Sequence, residues 1–159
     1  MAALGGRLQM YAQAAMGRTF THGIRVRYAE CDPQGVVFNA NYYAYYDLLM
    51  TELWREAIGP YDEMVAAGAD LSVVESRARF VTPARFDDEL DLNARVARLG
   101  NTSMSTHITI VRPSDGATIV DGEIHHVFID PHASTKRSIP DDIRAALEPY
   151  LEAEAEAPA

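Results

Sequence analysis

Asp32, in the run Cys31-Asp32-Pro33-Gln34-Gly35, is the side chain best placed to do chemistry in this 159-residue sequence. It follows a stretch that reads as a strand. Seven residues later comes Asn39, whose side chain suits the N-cap of a helix. A helix start leaves backbone N–H groups unpaired and carries the positive end of the helix dipole. A carbonyl held against such a start is polarised as in an oxyanion hole, each donor being worth about 3–4 kcal/mol in related chemistry. A carboxylate beside it attacks the carbonyl carbon or activates a water, and the sequence leaves both roles open. The plainer reading of Asp32 is a turn former: proline keeps it extended, Gly35 permits a sharp turn, and the side chain bonds its own backbone.

The elements that must position Asp32 follow from periodicity. From His22 to Cys31, Ile24, Val26 and Tyr28 alternate with Arg25, Arg27 and Ala29, the mark of a strand. A helix is expected from Ala40 to Ile58, stopped by Gly59-Pro60. Its apolar residues, Tyr42, Tyr43, Tyr45, Tyr46, Leu48, Leu49, Met50, Leu53 and Trp54, cover most of the circumference, so it should be largely enclosed. A shorter helical piece fits Tyr61 to Ala67. Strands are expected over Leu71–Val81, Glu89–Leu99, Thr102–Arg112 and Ala117–Ile129, separated by turn signals at Asp87-Asp88, Gly100-Asn101 and Pro113-Ser114-Asp115-Gly116. Pro140-Asp141-Asp142 opens a C-terminal helix. The chain thus divides into an N-terminal arm over 1–20, a domain over 21–140 and an acidic helix and tail over 141–159. Five strands of about 33 Å can curve around one helix of about 27 Å, an α+β arrangement of the hotdog type.

Composition narrows the function. Apolar residues make up 48% and the net charge is −9, which excludes a disordered chain and a general nucleic-acid binder. One cysteine, Cys31, excludes an intrachain disulfide and a cysteine-based zinc cage. The apolar run Leu8–Met16 is too short to span a bilayer and makes a poor signal peptide, so a cytoplasmic protein is expected.

The segment Tyr28-Ala29-Glu30-Cys31-Asp32-Pro33-Gln34-Gly35-Val36-Val37-Phe38-Asn39-Ala40-Asn41-Tyr42 resembles the signature of the 4-hydroxybenzoyl-CoA thioesterase family. That signature is a strand, Asp-x-x-Gly-(Ile/Val)-Val, and a short tether to Asn-Tyr on the central helix. Asp32, Gly35, Val36, Val37, Asn41 and Tyr42 match in register. The resemblance implies a hotdog-fold hydrolase of acyl-CoA thioesters, with Asp32 as nucleophile or general base and the backbone N–H of Asn39 as oxyanion donor. Val37, Phe38 and Tyr42 would meet the substrate. Relatives often carry a histidine where this chain has Phe38 and Asn39; its loss removes an imidazole mechanism and tilts the expected acyl group towards an aromatic or bulky one. Coenzyme A enters as part of the substrate and no other cofactor is implied. Its phosphates need donors: Arg77 and Arg98 on the strands, with Arg79, Arg85 and Arg95 nearby, and the Asn101-Thr102-Ser103 turn. Relatives assemble as dimers, often paired into tetramers, and an exposed sheet edge invites a second copy.

Other residues compete less well. Asp47 sits on the helix's polar stripe with Thr51 and Arg55. Cys31 should face away from Asp32, since neighbours on an extended chain point opposite ways. Asp121, Glu123 and His125 share one strand face, a weak metal constellation against a polar outer surface; no metal is expected. The rival functions are a thioesterase acting on acyl groups tethered to carrier protein and a non-catalytic module that binds acyl or CoA-ester ligands.

Overall fold

The structure, a computed structural model, describes residues 17–152. The expected N-terminal arm up to residue 16 and the tail beyond 152 lie outside the described residues. Five strands, β1 (Phe20–Arg25), β2 (Asp70–Phe80), β3 (Glu89–Leu99), β4 (Ser103–Arg112) and β5 (Ala117–Ile129), form one antiparallel sheet. Their order is β1-β3-β4-β5-β2, which leaves β1 and β2 at the edges. Helices α1 (Asn41–Ala57) and α2 (Tyr61–Ala66) connect β1 to β2, and α3 (Asp141–Leu147) follows β5.

Alternation gives the sheet one apolar face, with Leu90, Leu92 and Val96 of β3, Ile108 and Ile110 of β4 and Ile124 and Phe128 of β5 buried. Helix α1 sets Tyr42, Tyr45, Tyr46, Leu49, Met50 and Leu53 against this core, a stripe at three- and four-residue spacing. The enclosure expected from its composition is only partial within one chain. Tyr43 is exposed and Leu48 and Trp54 are half-buried, because the sheet covers only one side of the helix. Gly122 lets the two pack closely: a Cβ there would collide with the Tyr46 hydroxyl, which donates to the Arg77 carbonyl at 3.2 Å, and with that carbonyl itself.

Two local expectations change. The strand expected over 22–31 ends at Arg25, and Tyr28–Glu30 winds into a 3-10 turn. The Glu30 carboxylate pulls the chain round by accepting the Arg27 amide at 2.8 Å, so Tyr28 leaves the alternation and stands exposed against Phe86. In β2 a register irregularity between Val73 and Glu75 takes Val74 out of the regular strand alternation and leaves it exposed. The described part of the C-terminal segment packs into the body, burying Leu147 and Tyr150. Six-residue β1 covers β3 only from Glu89 to Ala94; beyond it Leu151 bridges Val96, and the Glu152 amide donates to the Val96 carbonyl at 2.8 Å.

Candidate active site

Between β1 and α1 the chain makes a tight, self-bonded crossing. Cys31 and Val37 pair across it as an antiparallel bridge. Inside that bridge the Asp32 amide donates to the Val36 carbonyl and the Gly35 amide to the Asp32 carbonyl, both at 2.9 Å. Gly35 holds φ 73°, which glycine adopts without a side-chain clash. The Cys31 side chain packs on the core and Asp32 is half-exposed, the opposite-facing arrangement expected of extended neighbours. Asp32 Oδ1 accepts the Gln34 amide at 2.8 Å, the turn-forming bond of the plainer reading. Asp32 Oδ2 has no hydrogen-bond partner among the described residues.

The start of α1 also departs from expectation. Ala40, not Asn39, is the N-cap, and it makes no side-chain cap bond. Short-range carbonyls close the first turn instead: Phe38 accepts from the Asn41 amide at 2.9 Å, Asn39 from Tyr42 at 3.3 Å and Ala40 from Tyr43 at 3.2 Å. Those bonds use the amides of 41–43 and leave the Asn39 and Ala40 N–H groups without a partner among the described residues. The turn is anchored from behind, because the Glu30 carbonyl accepts both the Phe38 amide at 2.9 Å and Asn41 Nδ2 at 2.7 Å.

Sequence reasoning passed over the residue that braces this crossing. Glu30 is 8% exposed. Its Oε1 accepts Arg27 Nε at 2.9 Å and Nη2 at 2.6 Å, while Oε2 accepts the Arg27 amide and the Tyr45 hydroxyl, each at 2.8 Å. Burial raises the Glu30 carboxyl, but the Arg27 amide, the Arg27 guanidinium and the Tyr45 hydroxyl outweigh it and leave the group below its ordinary value. Burial and the adjacent Glu30 push the Tyr45 phenol upward. The available signal was the Arg27-x-x-Glu30 spacing, in which a glutamate reaches back to the amide three residues earlier.

The remaining candidates separate into three groups. Near the crossing, Val37 is buried, Phe38 and Asn39 are exposed, and Tyr42 is buried with its ring 5.4 Å from Phe80. Burial raises the Tyr42 phenol. Arg85 reaches the Gly35 carbonyl at 3.4 Å, and Val37 is tied to the same loop through the Ala84 carbonyl at 2.8 Å. On the outer sheet face, Arg77 pairs with Glu75 and Glu123 at 3.1 Å each and Arg79 with Asp121 at 2.9 Å. His125 bonds Ser105 at 2.9 Å. Among the described residues no three His, Cys, Asp or Glu side chains are grouped to hold a metal ion.

Arg98, Asn101, Thr102 and Ser103 form the third group. The crossing docks beside Asp88 and Ala84 at the start of β3, since the Val26 amide donates to Asp88 and the Val37 amide to Ala84. The 101–103 turn follows the far end of β3, and the ten steps from Glu89 to Leu99 at about 3.3 Å each put it about 33 Å away. Within one chain these residues do not meet Asp32. No helix among the described residues is long and apolar enough to cross a membrane.

The thioesterase superfamily pattern matches residues 34–119. An acyl-CoA thioester hydrolase of Escherichia coli, YbgC, is 28% identical over 126 residues, covering 79% of this chain and 93% of that protein. A thioesterase-superfamily structure from Jannaschia sp. CCS1 superposes with a TM-score of 0.79 at 25% identity, covering 85% of this chain and 94% of that one. A 1,4-dihydroxy-2-naphthoyl-CoA thioesterase from Synechocystis has the same fold, with a TM-score of 0.75 at 20% identity over 82% of this chain and 96% of its own.

Proposed function

This chain belongs to the thioesterase superfamily and is a thioester hydrolase of hotdog-type fold, and we propose that it cleaves acyl-CoA to a free acid and coenzyme A using Asp32 and the start of α1. One observation carries the reading: the unpaired Asn39 and Ala40 amides stand at the start of α1, in the same short crossing as a half-exposed carboxylate with one oxygen free. A thioester oxygen directed at those amides gains charge as the carbonyl carbon becomes tetrahedral, and fixed donors stabilise that charge. Asp32 Oδ2 then either bonds to the carbonyl carbon and expels CoA as thiolate, leaving an anhydride for water to open, or takes a proton from the attacking water. Both routes end at the same acid and thiol.

In this reading an assembly of two or more copies completes the substrate site. Edge strand β2 exposes Val73, Val74 and Phe80, and Val81 beyond it is exposed too, while α1 exposes Tyr43 next to them. A second copy pairing on this edge, as a dimer or a dimer of dimers, would cover both. It would also bring the phosphate-binding candidates Arg98, Asn101, Thr102 and Ser103 of one subunit towards the crossing of another. Arg77 already holds two carboxylates, so Arg98, for which the described residues give no ion pair, is the stronger phosphate donor of the two.

The test is a panel of short, long and aromatic acyl-CoAs followed by release of free thiol, run beside Asp32→Asn. The wild-type protein should turn over at least one of them, and the variant should lose about 10²–10⁴-fold in kcat while still binding substrate. A folded protein inert to the whole panel, and to carrier-protein thioesters assayed in the same way, leaves only a binding module.

A further inference from the structure

Among the described residues every arginine side chain but two is engaged. Seven pair with carboxylates, and Arg85, Arg137 and Arg144 donate to backbone carbonyls. Arg95 and Arg98 have no such partner among the described residues, and both are exposed. Strand register puts them together. Arg95 lies across from His107 of β4 and Arg98 across from Ser105, two residues apart on one strand and therefore on one face. That face is the outer one, turned away from α1.

The C-terminal segment arrives at the same place. Past the end of β1 the edge of β3 is open, and Leu151 takes it in a parallel bridge to Val96. The Glu152 amide donates to the Val96 carbonyl at 2.8 Å. Glu152 turns its side chain to the outer face, where Oε1 meets His107 Nδ1 at 3.4 Å; Asp121 Oδ1 meets the other ring nitrogen at 2.9 Å. A parallel pairing sends the chain onward in the direction of β3 itself, from Val96 towards Arg98. The sequence there is Glu152-Ala153-Glu154-Ala155-Glu156. In an extended chain this alternation puts its three carboxylates on one side, and each pair of residues advances about 6.6 Å, the step from Val96 to Arg98.

We propose that Ala153–Glu156 continues along the free edge of β3 with Glu154 and Glu156 set against Arg98, and that this acidic segment is a tethered competitor which the phosphates of coenzyme A displace. The proposal rests on the thioesterase reading above, which gives Arg98 to those phosphates. A guanidinium presents the same fork of donors to a carboxylate as to a phosphate. One exposed ion pair is weak, but a segment anchored at Glu152 meets Arg98 at the high effective concentration of a short tether. A phosphate group brings more charge and displaces it.

The test uses the full chain, with Glu154→Gln and Glu156→Gln made together, each form with and without Arg98→Ala. Amide NMR signals of residues 153–156 should shift in Arg98→Ala and in about 0.5 M salt, which screens the contact. Signals that stay in place overturn the proposal. Titrated calorimetrically at low salt, coenzyme A should bind the glutamine form about threefold more tightly than wild type, with KM for an acyl-CoA lowered alike and kcat unchanged. The gain should vanish in Arg98→Ala. Unchanged affinity overturns the competition, and a gain that persists in Arg98→Ala is a general charge effect and overturns it too. So does a strip covered by a second copy, seen if Arg98→Ala alters the sedimentation of an oligomer while the signals of 153–156 do not move. A protein that hydrolyses acyl-CoA with no response to the tail substitutions loses only this proposal. One whose coenzyme A affinity responds as expected but which releases no thiol loses the hydrolase reading instead.

Discussion

Glu30 and Asp32 are carboxylates two residues apart in the same crossing, and the fold uses them in opposite ways. Glu30 is buried and fully engaged, with both oxygens accepting from Arg27 and one also from Tyr45. Asp32 is half-exposed, and the Gln34 amide holds only one of its oxygens. A carboxylate whose lone pairs are all occupied braces the chain, because withdrawing it strands several donors at once. One that is oriented by a single bond keeps an oxygen for reaction. The lesson is that proximity in sequence says little about role; the number of partners and the degree of burial decide it.

Four measurements can break or sharpen this contrast. The largest effect is expected from Asp32→Asn, which should lower kcat by the 10²–10⁴-fold typical of a lost general base and shift unfolding free energy by no more than about 0.5 kcal/mol. A denaturation midpoint that falls together with activity would make Asp32 a second brace. Next, Glu30→Ala strands the Tyr45 hydroxyl and the Arg27 amide and should cost about 1–3 kcal/mol of stability, read as a lower urea midpoint at constant slope. Wild-type stability in that variant would remove the bracing role.

Asn41→Ala tests the anchor behind the helix start. It deletes one of the two bonds to the Glu30 carbonyl and should cost about 1 kcal/mol. Its KM should change less than its kcat if the bond fixes the amides that stabilise the transition state, since orientation matters most there. The smallest effect is pH-dependent. The folded-state value of Glu30 lies below the ordinary 4.5, so its contribution is complete above that pH and is lost as pH falls through the folded value. The acid limb of an unfolding titration should therefore become shallower in Glu30→Gln, while Asp47→Asn, on the exposed side of α1, serves as the comparison.

Much of the frame was legible in residues. The alternation of β3, β4 and β5 and the 42-45-46-49-50-53 spacing of α1 are local periods, and each fixes its own buried face whatever lies opposite. Gly35 and the Pro113–Gly116 turn were legible for the same reason. The burial of Glu30 was not, because Tyr45 reaches it from across fifteen residues. Nor was the end of β1 at Arg25, where one side chain outweighs an otherwise strand-like pattern.

By itself, then, the sequence determined the order of the strands and of the α-helices, the sharp turn after Asp32 and the family signature that contains it. Tertiary structure alone decided that the Asn101–Ser103 turn lies at the far end of the sheet from Asp32, that Gly122 makes room for the Tyr46 hydroxyl, and that Leu151 lies beside Val96. The physical reason is range. Backbone sterics and hydrophobic period act over a few residues and leave their mark on the chain, whereas strand register and the path of a helix across a sheet join residues that no local pattern relates.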